Sequence, residues 1–333
     1  MAENKQGSIA AEIKADGSFN RQKNRFDTPF GLGEGELPVE AGRYRLLWSA
    51  VCPWAHRSVI VRSILGLEEV ISLGTASPMR PKLPHVDWEF SLDEDRVDPV
   101  LGIRYMSQIY KKTDPDYSGR PTVPVIVDVK EQKVANNDYF KLTNYLETVW
   151  APYHKENAPD LYPESLRKEI DALNDVIFHE VNNGVYKCGF AQSQEAYEQA
   201  YDTLFARLDD LEDRLSNQRF LFGDYITDAD VRLYATLIRF DAGYYSAFKT
   251  NRNRIVDFPH LWGYLRDLYQ TPGFGDTTDF DAIKRHYHLS NHIASNDQKG
   301  HNSILPKGPD LTGLLSEHNR QELSNIEEKF LIR

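Results

Sequence analysis

Sulfur is scarce in this chain of 333 residues, with two cysteines and three methionines, and positive charge is outnumbered, 39 Lys and Arg against 50 Asp and Glu, for a formal net charge of −11. Cys52 and Cys188 are too few for a disulfide framework and form no Cys-x-x-Cys pair. The acidic balance excludes a nucleic-acid partner, because phosphates need a basic face. No apolar run approaches the roughly 20 residues that span a bilayer, so no membrane partner is expected. The N-terminal stretch MAENKQGSIAAEIKADGSFNRQKNRF lacks the apolar core of a signal peptide, and a cytoplasmic location is expected. Repeats and low-complexity tracts are absent as well.

What is present has an order. The length predicts two domains. Residues 1–40 read as an extended arm, since Gly, Pro and charge recur there without a period. Tyr44–Val51 is an apolar run suited to a strand, followed by Cys52 and then Pro53, placed where a helix starts. The helical pattern ends at Gly66, Val70–Leu73 reads as a second strand, and 75–120 as a polar, Pro- and Asp-rich insertion. Thr122–Asp128 is a third strand with Pro124 embedded in it, and Tyr139–Trp150 a helix. After a Pro-rich linker at 151–163, apolar residues recur at three- and four-residue spacing: Leu166, Ile170, Leu173, Ile177, then Tyr197, Tyr201, Leu204, Leu208, Leu211, Leu215. Thr227 and Asp230 have capping-box spacing before the next apolar helix. Leu261–Tyr269 is a further helix, and the tail from about 290 is irregular, with a helix regained over 311–333. The boundaries are therefore an arm to 40, an α/β domain at 41–150 and an all-helical domain at 160–333. Strand-helix-strand followed by a helical block predicts an α/β thioredoxin-like domain followed by an all-α domain.

The chemistry points to Cys52. The nucleophile is the thiolate, and an unperturbed thiol is mostly protonated at neutral pH. A helix N-terminus supplies unpaired N–H donors and partial positive charge, which favour the anion; His56 and Arg57 lie in the first turn. Ala55 stands where a dithiol centre has its second sulfur, so a mixed disulfide on Cys52 needs an external thiol to resolve it. Val123-Pro124 fits a cis-proline that presents a backbone edge to a bound thiol. Cys188, by contrast, reads as a small buried hydrophobe.

Four segments in order resemble the glutathionyl-hydroquinone reductases, the Xi class of glutathione transferases, over roughly residues 20–310. They are Cys52-Pro53-Trp54-Ala55-His56-Arg57, Asp114 to Val125, Asn182 to Ala191, and Thr227-x-Ala229-Asp230. The resemblance implies a glutathione-transferase all-α domain at the C-terminus, glutathione as co-substrate, a homodimer and no metal. It implies that Cys52 attacks the sulfur of a glutathionyl-hydroquinone and is released from its mixed disulfide by a second glutathione. Tyr186, Tyr244 and Tyr287 match the family's three tyrosines, which assist the departing quinol. Trp88, Arg120 and Val123 match its glutathione contacts: an aromatic wall, a cation for the glycyl carboxylate, and backbone hydrogen bonds. At the γ-glutamyl end the family pattern Asn-Glu-Ser becomes Asn137-Asp138-Tyr139, and the usual histidine three residues after Tyr244 is Ala247. The thiol chemistry is thereby kept, while glutathione is expected to bind weakly or to be replaced by a relative.

Two rivals stand beside this reading. An omega-like or glutaredoxin-like thiol transferase would reduce mixed disulfides or dehydroascorbate, needing Cys52 but not the tyrosines. A non-catalytic binding module would need neither. His286, His288 and His292 fit no usual closed zinc set.

Overall fold

The computed structural model describes residues 9–81, 86–290 and 304–333. The chain divides into two compact units, one of Met1–Lys14, Asn20–His154 and Asp281–Pro306, the other of Ala15–Phe19, Lys155–Phe280 and Lys307–Arg333.

The first unit is built on a four-stranded mixed sheet. Strand β1 (Tyr44–Trp48) is buried along its whole length, which suits its nearly unbroken apolar run. Helix α1 (Pro53–Ile64) returns the chain to β2 (Ile71–Thr75), parallel to β1 in the register Tyr44↔Ile71. Helix α2 (Met106–Thr113) precedes β3 (Val125–Asp128), which is antiparallel to β1, and β4 (Lys133–Asn136) closes the order β2-β1-β3-β4. The stretch expected as an insertion thus holds an element of the fold. Met106, Ile109 and Tyr110 form the buried stripe of α2, and Thr113 Oγ1 accepts from the Val134 N–H at 2.8 Å, tying the helix to β4. Helix α3 (Leu142–Glu147) is shorter than the Tyr139–Trp150 expected.

The arm is not simply extended either. Ile9–Glu12 forms a 3₁₀ turn, and Phe30–Gly31 pairs with Leu37–Pro38 in a two-residue parallel ladder. Residues 1–8 lie outside the described residues, as do 82–85 of the insertion and 291–303 of the tail, including His292.

The second unit is helical: α4 (Arg167–Ile177), α5 (Gly184–Phe190), α6 (Gln194–Leu215), α7 (Asp228–Arg239) and α8 (Pro259–Tyr269). Leu204, Leu208, Leu211 and Leu215 form the buried face of α6, as their spacing predicts. The capping box at α7 is present: Asp230 Oδ2 accepts from the Thr227 N–H at 2.8 Å, and Oδ1 accepts from the Leu221 N–H and the Tyr264 hydroxyl. Helix α9 (Phe280–Leu289) counts, from Asp281, with the first unit rather than with the helical domain expected at 160–333. The reason lies in its contacts there: His286 reaches the Pro78 carbonyl at 2.8 Å.

The tail forms no α-helix over 311–333. It has two 3₁₀ turns, Thr312–Leu315 and Arg320–Leu323, and wraps the helical unit. Arg320 donates to the carbonyls of Leu215 and Arg219, satisfying groups left open just after α6. Lys329 bridges to Asp267 at 2.8 Å, and the Ile226 N–H donates to the Lys329 carbonyl. These are backbone and ionic contacts, which leave no periodic trace in sequence. Among the described residues, no helix is long and apolar enough to cross a membrane.

Candidate active site

Cys52 is the N-cap residue of α1, with extended backbone angles, and Pro53 takes the first helical position. Cys52 is buried, 8% exposed, and its S–H donates to the Val123 carbonyl at 3.3 Å. The Val123–Pro124 peptide is cis, so the two backbone devices expected from sequence, a helix start and a cis-proline, meet at one sulfur.

A cation that sequence reasoning missed acts on this sulfur through its charge. Arg80 is buried, donates from Nε to the Asp87 carbonyl and from Nη2 to the Val86 carbonyl, and lies 4.3 Å over the Trp88 ring. Burial pushes its guanidinium down to about 9; Arg120 presses the same way, while Asp87, Cys52 and Glu12 oppose. It stays charged at neutral pH and lies within electrostatic reach of Cys52. Only a Pro-rich context, with prolines at 78, 81 and 84, marks it in sequence, which is no signal of a site.

Trp88 is 4% exposed, and its Nε1 is buried with no hydrogen-bond partner among the described residues. On α9, the ring of His286 lies parallel to that of Trp88, 5.7 Å away at 12°. Its Nδ1 faces the Pro78 carbonyl, which can only accept, so the proton sits on Nδ1. Tyr287 follows on the same helix and is buried. Cys52, Val123, Trp88 and Tyr287, all expected site residues, therefore belong to one compact unit.

Arg120 is engaged by a carboxylate of the chain itself. Its Nε and Nη2 both donate to Glu12 Oε1, at 3.1 and 2.8 Å, with both side chains almost wholly buried. Asp138 is also engaged: Oδ1 accepts from Asn24 Nδ2 at 3.0 Å and from the Phe140 N–H at 3.1 Å, in the turn before α3. Tyr139 packs on Trp54 with ring centroids 5.1 Å apart, and the guanidiniums of Arg21 and Arg57 each lie 4.6 Å from the Trp54 ring. Burial raises the Tyr139 hydroxyl pKa, with Arg21 and Arg57 opposing.

Tyr186 and Tyr244 belong to the other unit and lie together. Their hydroxyls are 3.5 Å apart and their rings meet edge to face at 5.8 Å. Phe248 stacks on Tyr244 at 5.4 Å and 21°. A Cβ at Gly189 would come within 2.3 Å of the Phe248 ring, so glycine is required for this box to close. Each tyrosine is associated with a π-helical turn, Phe178–Asn182 before α5 and Phe240–Tyr244 after α7, a geometry that recurs at functional sites. Asn182 Nδ2 holds the first turn to α7, donating to the Arg232 carbonyl and Thr236 Oγ1. Among the described residues no cluster could hold a metal ion.

A buried cysteine at a helix start beside a cis-proline, in a mixed-sheet unit followed by an all-α unit, is the architecture of the glutathione transferases. The family model "Glutathione S-transferase, C-terminal domain" matches residues 194–267. A glutathionyl-hydroquinone reductase from Escherichia coli is 39% identical over 301 residues, 88% of each chain. A solved glutathione transferase from Gordonia bronchialis is 50% identical, with 88% of each chain covered and a TM-score of 0.82. The Xi-class enzyme from Phanerochaete chrysosporium is 38% identical over 92% of this chain and 98% of its own, with a TM-score of 0.84. This chain belongs to the Xi-class glutathione transferases, an enzyme family that includes the glutathionyl-hydroquinone reductases.

Proposed function

We propose that this enzyme reduces glutathionyl-hydroquinones through a mixed disulfide on Cys52. The Cys52 thiolate attacks the glutathionyl sulfur; the sulfur–carbon bond breaks, its electron pair passes to the ring carbon, and that carbon takes a proton. Hydroquinone leaves, and Cys52 is joined to glutathione. A second thiolate then attacks the glutathionyl sulfur of this disulfide, releasing the Cys52 thiolate and a low-molecular-weight disulfide. One thiol per turnover is consumed, which is what a centre with Ala55 in the second position demands.

The observation that carries this reading is the position of the Cys52 sulfur at the start of α1, 3.3 Å from the Val123 carbonyl. Helix N–H groups and the charged Arg80 supply positive potential for the thiolate. Trp88 is assigned to wall the thiol, its buried Nε1 being a donor available to it. The carbon leaving group is poor, so its departure needs hydrogen bonding and a proton. Tyr186, Tyr244 and Tyr287 are assigned that role, supported for the first two by the juxtaposition of their hydroxyls.

The general thiol transferase differs in one measurable way. Tyr186→Phe, Tyr244→Phe and Tyr287→Phe are each expected to lower kcat/KM on a glutathionyl-hydroquinone by about 10- to 100-fold. The same variants are expected to leave reduction of a simple mixed disulfide nearly unchanged. Equal losses on both substrates would favour the transferase reading.

A further inference from the structure

Arg120 lies three residues before Val123, whose carbonyl receives the Cys52 S–H, and its charge is felt at Arg80 together with those of Cys52 and Glu12. A small thiol joined to Cys52 with a carboxylate at its end would find this guanidinium a natural counter-ion. The guanidinium is already held. Glu12 Oε1 accepts two of its N–H bonds, and Oε2 accepts from the Gln22 N–H at 3.1 Å. The Asn20 N–H donates to the Glu12 carbonyl at 2.7 Å. Gln22 then grips the Arg120 backbone from both sides: Oε1 accepts from the Arg120 N–H at 3.0 Å, and Nε2 donates to its carbonyl at 2.8 Å. The arm residues are therefore fastened around Arg120 by a set of mutually supporting bonds, with the ion pair buried at their centre.

The consequence is one of charge. Arg120 and Glu12 sum to zero, so an incoming carboxylate meets a guanidinium with a carboxylate already seated on it. Two carboxylates on one guanidinium repel, and displacing Glu12 would strand a buried charge. Specificity can come from such repulsion as readily as from attraction.

We infer that Glu12 is a specificity-determining residue of the thiol site, disfavouring a co-substrate that brings a carboxylate to Arg120 and favouring one whose end there is uncharged. This deepens, and rests on, the reading of Cys52 as the thiol-exchanging centre. It names the class of the thiol: a small thiol, neutral at the end distal to the sulfur on the Arg120 side. Glutathione, with its glycyl carboxylate, is then a working but weak co-substrate.

The test uses the full-length enzyme, a glutathionyl-hydroquinone as substrate, and two resolving thiols that differ only at the glycyl end: glutathione and its glycyl monoethyl ester. In the unaltered enzyme the KM for glutathione is expected to exceed that for the ester by about fivefold or more. In Glu12→Gln, whose amide oxygen still accepts from Arg120 but carries no charge, the ratio is expected to fall below one. A purely structural Glu12 would lower Tm and shift both KM values together, leaving the ratio unchanged; that result overturns the inference. It needs no variant to fail: an unaltered enzyme preferring glutathione over the ester by about tenfold overturns it as well. Absence of turnover with either thiol, with no adduct on Cys52, would instead bring down the Cys52 reading and this inference with it.

Discussion

The thiol site of the first unit and the tyrosine pair of the second are held by different kinds of contact. Around Cys52 the fixed points are backbone atoms: the Val123 carbonyl, the helix start, and the carbonyls of Val86 and Asp87 that hold Arg80. Around Tyr186 and Tyr244 they are ring faces and edges, with Phe248 and Gly189 setting the spacing. Backbone devices depend on fold more than on neighbouring side chains, so the chemistry proposed at Cys52 would rest on one atom that no other residue supplies. The role proposed for the aromatic box would be shared among several groups. Loss of the sulfur should therefore be absolute, and loss of a hydroxyl graded.

The sharpest break of that comparison is Cys52→Ser. Turnover of glutathionyl-hydroquinone is expected to fall by about a thousandfold or more, with Tm little changed, because a hydroxyl neither ionises nor forms a disulfide. Near-normal turnover would remove the thiol mechanism.

A second way to sharpen it addresses what holds the helical unit. Asp230 is buried and takes four bonds, from Thr227, Leu221 and Tyr264. Asp230→Ala leaves several buried donors unpaired, and a loss of about 3 kcal/mol in denaturant unfolding is expected. A loss below about 1 kcal/mol would mean that water or the tail takes over the cap.

The smallest effect concerns the other sulfur. Burial pushes the Cys188 thiol up to about 12, with Lys187 and its own backbone N–H opposing. An acid whose pKa is raised stays protonated below that value, so thiolate, and with it alkylation, should be negligible at pH 8 and rise only as pH approaches 12. In Cys52→Ser, native protein at pH 8 is expected to take up no iodoacetamide, and unfolded protein one equivalent. Labelling of native Cys188 would contradict its assignment as inert.

Much of the fold was legible because its signals are local. Cys52-Pro53, the cis-proline at 124 and the box from Thr227 to Asp230 each depend on a few adjacent residues. The leucine period of α6 is similarly short-range. The missed features join residues far apart in the chain. Glu12 meets Arg120 across 108 positions, and Arg320 meets Leu215 across 105, with no periodicity to announce either contact. Helix α2 was hidden for another reason: three apolar residues in a polar, Pro-rich stretch are a weak stripe, although Met106, Ile109 and Tyr110 have helical spacing. Near Cys52 the helix start and the cis peptide at Val123–Pro124 could be read directly. The engagement of Arg120 and Asp138 could not, because it depends on partners the arm brings from elsewhere.

The central claim is that Cys52 carries the thiol between the two half-reactions. Enzyme mixed with one equivalent of a glutathionyl-hydroquinone and no free thiol, then acid-quenched and analysed by peptide mass spectrometry, tests it most directly. The account predicts a single glutathionyl group in disulfide linkage on the Cys52 peptide, removable by added thiol, with free hydroquinone in equal amount. Hydroquinone released with Cys52 unmodified, or an adduct on Cys52 that retains the quinol ring, would contradict it.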